Sequence, residues 1–416
     1  MISVRESCRL CGCGELQPVV TLGEIPLVNE LIHPEDEART EPRFPLDVVH
    51  CPSCSLVQLV QDISPEMLFG SYPYFSSYSE DVVNDSRRLA GQISRREALR
   101  TDDLVAEVAS NDGYLLRHYL ARGHKVLGIE PATNVAAHAR DVHGIPTLPH
   151  FFTREVAESI RSSHGACAVV HANNVLAHVE DLNDFAAGLR VLLKEDGVLI
   201  VEVPHVVDLV ETGAFDTIYH EHRCYFSLTS LQKLFAKVDL VIEDVDHFER
   251  HGGSLRISCR PGSSAVSPGE RVEEMLDDES RWGVESPKTY RRLQDRMERV
   301  GESLGRLLES LRADGSRVAA YGASAKGVVL LTTCGIGKDL IDYVIDRNPH
   351  KQGRLLPGAH LEIRSTQVLA EQPPDYLLLL AWNFAGEIMR QQASYLALGG
   401  RMIIPIPEPH IAPRLS

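Results

Sequence analysis

The chain has 416 residues, 44% hydrophobic and 24% charged, the balance of an ordinary globular protein of two or three domains. Its net charge of −16 argues against nucleic acid as a partner, although a nucleotide-sized anion needs only a few local contacts. No apolar run approaches the roughly 20 residues of a membrane span, and residues 1–7 lack a signal-peptide core, so a cytoplasmic protein without a membrane partner is expected.

Five of the nine cysteines fall before residue 55. Cys8 and Cys11, and again Cys51 and Cys54, form Cys-x-x-Cys pairs, with Cys13 to spare. Two such pairs can close a tetrahedral thiolate shell with no open position, so a structural zinc ion is expected. Tyr72 and Tyr74 follow in an aromatic, polar segment. Their hydroxyls can donate to a developing oxyanion, or their rings can simply stack in a core. An Arg-rich helix is predicted over residues 80–100.

Residues 104–260 alternate strand-like runs (104–109, 125–130, 166–171, 197–202, 240–247 and 254–259) with amphipathic helices. That alternation implies βαβ units and a mainly parallel, Rossmann-like sheet. Its first turn, Ser110-Asn111-Asp112-Gly113, has one glycine, which disfavours a dinucleotide. Glu107 ends the first strand, where a carboxylate suits a cationic or amino group of a ligand. Glu130, followed by Pro131, stands where an acidic residue bonds ribose hydroxyls. Asn173 and Asn174 end the third strand and offer amides. Singly each is weak, since acidic residues end many strands by chance; in this order they fit S-adenosylmethionine.

His178 lies just past the third strand, on the ligand side, or is an ordinary surface histidine. Tyr219, His220, Glu221 and His222 are consecutive. The spacing is not that of a helical two-histidine zinc site, so the segment reads as acid–base machinery, against a polar loop with incidental histidines. A loop and a long helix are predicted over residues 262–315. Strands at 317–321, 340–345, 376–381 and 401–406 then build a second, smaller α/β unit. Its first turn places Ser324 and Lys326 at a helix N-terminus, which suits a nucleotide diphosphate, though a plain tight turn explains it nearly as well. The division expected is a zinc-binding domain at 1–70, a Rossmann-like methyltransferase domain at 71–262, a helical linker at 263–315 and a C-terminal α/β domain at 316–416.

Taken jointly, the cysteine pairs around Leu22-Gly23-Glu24-Ile25-Pro26-Leu27, Tyr72-Pro73-Tyr74-Phe75, Val108 to Gly113, Tyr219 to His222, His251-Gly252-Gly253 and Tyr321 to Lys326 resemble the zinc-containing sugar C-methyltransferases of antibiotic biosynthesis, over nearly the full length. The resemblance implies a substrate cleft between the last two domains and a thymidine-diphosphate-linked 4-keto-6-deoxyhexose as substrate. It implies that His222 removes the C-3 proton, that Glu221, Tyr219, Tyr74 and His178 are active-site residues, and that Tyr72, His251, Ser324 and Lys326 contact the substrate. C-5 methylation, O-methylation and a non-catalytic zinc-ribbon protein are the competing readings. With no heptad or large apolar surface helix to force a dimer, a monomer is expected.

Overall fold

The computed structural model describes residues 2–64, 75–248, 252–264 and 266–413; Tyr72, Tyr74 and His251 lie outside these. Near the N-terminus, β1 (Ile2–Val4) pairs with β5 (Gln61–Ile63). Three antiparallel strands, β2 (Gln17–Pro26), β3 (Arg43–His50) and β4 (Val57–Leu59), form a small sheet. Its fourth strand comes from far along the chain: β11 (Cys224–Tyr225) pairs with β4. Residue 224 directly follows the segment carrying Tyr219 and His222, so the small sheet anchors that segment on its C-terminal side.

The central sheet comprises β6 (Leu104–Val108), β7 (Lys125–Ile129), β8 (Thr147–Leu148), β9 (Cys167–Asn173), β10 (Leu193–Pro204), β12 (Leu240–Phe248) and β13 (Ser254–Pro261). The spatial order is β12-β13-β10-β9-β6-β7-β8. Only β13 runs against the others, pairing antiparallel with both β10 and β12. All five residues of β6 are buried, which explains its unbroken apolar character apart from Glu107. The predicted helix over 80–100 stops at Arg96.

A second sheet holds β14 (Val318–Tyr321), β15 (Val344–Ile345), β16 (Ile363–Arg364), β17 (Tyr376–Leu379), β18 (Arg401–Ile404) and β19 (His410–Ile411), in the order β16-β15-β14-β17-β18-β19. The strand expected over 340–345 shrinks to two residues. The amides of Leu340 and Ile341 bond to the Gly337 carbonyl in a turn, which keeps them off the sheet.

Residues 263–315 do more than connect. The helix Arg292–Ala313 buries Leu293, Met297, Val300, Leu304, Leu308 and Leu311, a stripe at helical spacing. These side chains share one apolar cluster with Leu46 and Val48 of the N-terminal sheet and Val328 and Leu331 behind β14. The helix is thus the middle layer of a core that fixes the first and last parts of the chain together.

A buried charge cluster ties in the preceding helix, Glu270–Trp282. His205 Nδ1 lies 2.9 Å from Asp208 and Nε2 lies 3.0 Å from Glu279. Glu279 also accepts from the amide of Thr229 at 2.8 Å. Burial works against the imidazolium, but the two carboxylates outweigh it and push the His205 pKa up to about 9. A histidine charged more readily in the folded than in the unfolded chain stabilises the fold at low pH. That contribution is complete below the unfolded value of about 6.5 and fades as pH rises through about 9. Denaturant unfolding of wild type and His205→Gln should therefore differ by on the order of 3 kcal/mol at pH 6 and converge by pH 10. A difference independent of pH would show that His205 is neutral in the fold.

Candidate active site

A cavity of about 1320 Å³ opens where the central and C-terminal sheets face each other. Single-ligand pockets span roughly 300–1,000 Å³, so this one has room for two ligands at once. Its walls come from the ends of strands in both sheets and from the N-terminal part through Arg5 and Asn29.

The central-sheet wall begins at the turn after β6. Ala109 and Asn111 take φ of 56° and 49° and Gly113 takes +80°, so the chain doubles back tightly. A Cβ on Gly113 would lie 2.7 Å from Ile145, which makes glycine necessary there. Gly128 in the next strand is equally constrained: a Cβ would meet the Ser110 hydroxyl at 2.4 Å, a contact no real Cβ makes. Glu130 caps this wall. One of its oxygens accepts from the Asn111 amide at 3.0 Å and the other from the Ala132 amide at 2.9 Å. Each oxygen keeps a further lone pair for the cavity. Burial pushes the Glu130 pKa up to about 7, against those two bonds.

Of the cofactor-binding residues expected, Asn111, Glu130, Pro131, Asn173 and Asn174 line the cavity. Glu107, Ser110, Asp112 and Gly113 sit behind that wall. Glu107 is held well above the carboxylate range by burial, with Tyr114 opposing; Tyr114, which the sequence did not single out, is the side chain that reaches the cavity from it. Asp112 accepts from the Ser77 amide at 3.2 Å and locks the turn from behind. Asn174 sits at φ 54° with its amide bonded to the Glu202 carbonyl at 2.7 Å. The side-chain oxygen of Asn173 is buried without a hydrogen-bond partner at the cavity wall. An open polar atom, a carboxylate at a strand end with lone pairs free for hydroxyls, and a glycine cradle together fit adenosylmethionine.

Opposite stand Tyr219, His222 and His178. His222 Nδ1 lies 2.8 Å from the Thr217 carbonyl oxygen, and its Nε2 lies 2.8 Å from the Tyr219 hydroxyl. A carbonyl only accepts, so Nδ1 carries the proton and Nε2 presents its lone pair to Tyr219. Burial, with His178 and Lys326 nearby, holds the His222 pKa well below the usual histidine value, so the ring is neutral. His178 packs edge-on against it with ring centroids 4.8 Å apart, and burial pushes its own pKa down to about 4. The Arg223 amide bonds the Ala177 carbonyl at 2.6 Å and so brings the two histidine segments together.

Glu221 does not line the cavity itself but is held by Asn29, which does. The Asn29 amide donates to it at 2.6 Å, and burial pushes its pKa up to about 7. His220 is buried against β3 instead, its ring nitrogen 3.1 Å from the Pro45 carbonyl and its ring edge-on to Phe44, and it does not line the cavity.

The third wall is C-terminal. Ser324 caps the helix Ala325–Thr333 by accepting from the Gly327 amide at 3.1 Å. Lys326 lies 4.8 Å over the Trp382 ring, its ammonium buried without a hydrogen-bond partner. Arg347 and Lys351, after β15, add two more cations that the sequence reading missed. Their only signal was their place just beyond a strand end.

In the N-terminal part, Cys8 Sγ lies 3.4 Å from Cys54 Sγ and Cys11 Sγ lies 3.5 Å from Cys51 Sγ. All four sulfurs fall within 4.8 Å of one another. A zinc tetrahedron with bonds of about 2.3 Å has sulfur–sulfur edges of about 3.8 Å, so the four thiols fit that ion. The turns are built for it: Gly12 at φ +76° and Ser55 at φ 63° return their amides to the Cys8 and Cys51 carbonyls at 2.9 and 2.8 Å. Cys51→Ser should reduce bound zinc from about one ion per chain towards none and lower the unfolding free energy. Elemental analysis of the purified variant tests this, and full zinc retention would show that the ion is held elsewhere.

A family profile for a zinc binding domain matches residues 8–69, one for a methyltransferase domain matches residues 84–245, and one for a C-methyltransferase C-terminal domain matches residues 249–407. C-methyltransferase NovU of Streptomyces niveus is 41% identical over 406 residues, covering 98% of this chain and 96% of the relative. Among solved structures, magnesium protoporphyrin IX methyltransferase (ChlM) from Synechocystis PCC 6803 aligns at 12% identity and a TM-score of 0.34, over 42% of this chain and 81% of that one. The glycopeptide N-methyltransferase MtfA aligns at 12% identity and a TM-score of 0.33, over 42% of this chain and 94% of that one. The chain is an adenosylmethionine-dependent methyltransferase with an N-terminal zinc-binding domain, and it belongs to the C-methyltransferase family.

Proposed function

We propose that the enzyme methylates the carbon next to the ketone, C-3, of a thymidine-diphosphate-linked 4-keto-6-deoxyhexose. The observation that carries this reading is the neutral His222, its Nε2 lone pair held at a cavity shared by the cofactor wall and the cationic C-terminal wall. A proton α to a ketone is acidic enough for such a base when the enolate oxygen meets a hydrogen-bond donor. Adenosylmethionine supplies the electrophilic methyl group.

In this account the Thr217 carbonyl fixes the His222 tautomer; the Tyr219 O–H turns from Nε2 to the incoming substrate, and the freed Nε2 lone pair takes the C-3 proton. Thr217 then stabilises the imidazolium without itself moving. Tyr219 orients the base; His178, with Tyr74 from the N-terminal part, serves the C-4 oxyanion. The bond from Asn29, at the cavity wall, to Glu221 braces the segment. Lys326, Ser324, Arg347 and Lys351 surround a site for the diphosphate, where a helix N-terminus adds its partial charge. Holding both reactants in one closed space supplies much of the rate.

Deuterium exchange separates this chemistry from O-methylation, which needs no carbon acid. In deuterated water with the keto-sugar and S-adenosylhomocysteine, wild type should wash deuterium into C-3. His222→Asn should bind both ligands with dissociation constants near wild type yet lose turnover by on the order of 10²–10⁴-fold. Exchange and turnover at wild-type rates in that variant would remove His222 from the base role.

A further inference from the structure

The carbonyl that fixes the catalytic imidazole belongs to a short turn, Phe215–Thr217. Its middle residue, Asp216, was given no role by the sequence, yet it is fully buried. Asp216 accepts from the Trp382 indole N–H at 2.6 Å, while its other carboxylate oxygen has no hydrogen-bond partner. Trp382 starts the turn after β17, beside the cavity-lining Asn383 and Phe384. Its ring also carries the Lys326 ammonium. A buried carboxylate and a buried ammonium therefore sit on either side of one indole, each acting on the other's charge. One is aimed at the turn that orients His222, the other lines the C-terminal wall.

We propose that Asp216, clasped by Trp382 and faced by Lys326, is a positioning residue that locks the Thr217 carbonyl onto His222 Nδ1, so that the C-terminal sheet sets the tautomer and aim of the catalytic base. This proposal deepens the reading above and shares its assignment of His222. The bonds form a continuous chain from Trp382 Nε1 to Asp216, through one peptide unit to the Thr217 carbonyl, and on to His222.

The chain crosses from one sheet to the other. It gives a physical reason why the aspartate is buried: a carboxylate so enclosed costs free energy unless bonded and faced by a cation. Burial pushes its pKa up and Lys326 opposes that shift, which is consistent with a charge kept in place by the lysine. An anion arriving at Lys326 would redistribute this pairing, so occupancy of the C-terminal wall would be felt at the base.

The test reads the base directly, without substrate. Long-range ¹H–¹⁵N correlation spectra of the zinc-loaded, full-length protein report which ring nitrogen of each histidine is protonated; the His222 signals are those lost in His222→Gln. Wild type should show Nδ1 protonated and Nε2 bare. Trp382→Phe keeps an aromatic face for Lys326 and removes the N–H together with the five-membered ring that carries it. It should mix the two tautomers and lower kcat at least about tenfold, with the KM for adenosylmethionine unchanged within about twofold. Asp216→Asn keeps an oxygen acceptor for the indole and should restore the wild-type tautomer more fully than Asp216→Ala.

A pure Nδ1–H signature in Trp382→Phe would overturn the proposal. So would a loss of kcat matched by an equal fall in melting temperature and no tautomer change, the mark of a merely structural contact. The tautomer readout stands whatever the substrate proves to be. Thymidine diphosphate, added as a probe, should shift the His222 signals in wild type and not in Trp382→Phe. Binding without such a shift in wild type would sever the proposed link, whereas failure to bind at all would count against the nucleotide-sugar reading alone.

Discussion

The hydrogen bond from His222 Nδ1 to the Thr217 carbonyl decides what the cavity can do. A histidine in this position with the opposite tautomer would present a proton to the cavity instead of a lone pair. Everything that holds the two partners 2.8 Å apart therefore serves the chemistry. On one side the segment is pinned by β11, which leaves the catalytic stretch and joins a sheet built from the first 59 residues. On the other, the turn containing Thr217 is met by the helix that follows β14 and by Trp382. His222, the proposed base, is thus held between the first and last parts of the chain.

This placement explains why the N-terminal domain is stapled with a metal. The four cysteines lie in turns that lead into β2 and β4, and β4 is the strand on which β11 pairs. A sheet of this size has little apolar core of its own, and zinc substitutes for what the core lacks. The sheet also shares its core with the helix Arg292–Ala313, which packs in turn beneath the C-terminal sheet. Loosening either support would move the base relative to both ligand walls, and displacements near an ångström are costly for positioned reactants.

Much of this was legible in the sequence, for identifiable reasons. Strands of the central sheet announced themselves because β6, β9 and β10 are buried and apolar. The cysteine spacing carried its own chemistry. The turn after β6 was readable from its single glycine, and the φ values show why that glycine cannot be replaced. Strands β16 and β19 went unseen because two-residue edge strands have no period to detect. Residues whose role depends on long-range contact left no local signal either. Asn29 supports Glu221 across 192 positions, and Trp382 reaches Asp216 across 166. Arg347 and Lys351 gather at the cavity only once β15 is in its sheet.

The same limit applies to the residues behind the cofactor wall. Glu107 and Asp112 are the most conspicuous polar residues of their segment, yet both are turned inward, and Asn111 and Glu130 present the wall itself. Acidic side chains at strand ends marked the neighbourhood of the ligand without saying which of them faces it. The central claim, carbon methylation next to a ketone, is tested most directly by the product. The enzyme should be incubated with adenosylmethionine and a thymidine-diphosphate 4-keto-2,6-dideoxyhexose, and the product examined by NMR. The account predicts a new methyl group bonded to C-3, adjacent to the carbonyl; a methoxy group, or a methyl on a carbon not next to the ketone, would contradict it.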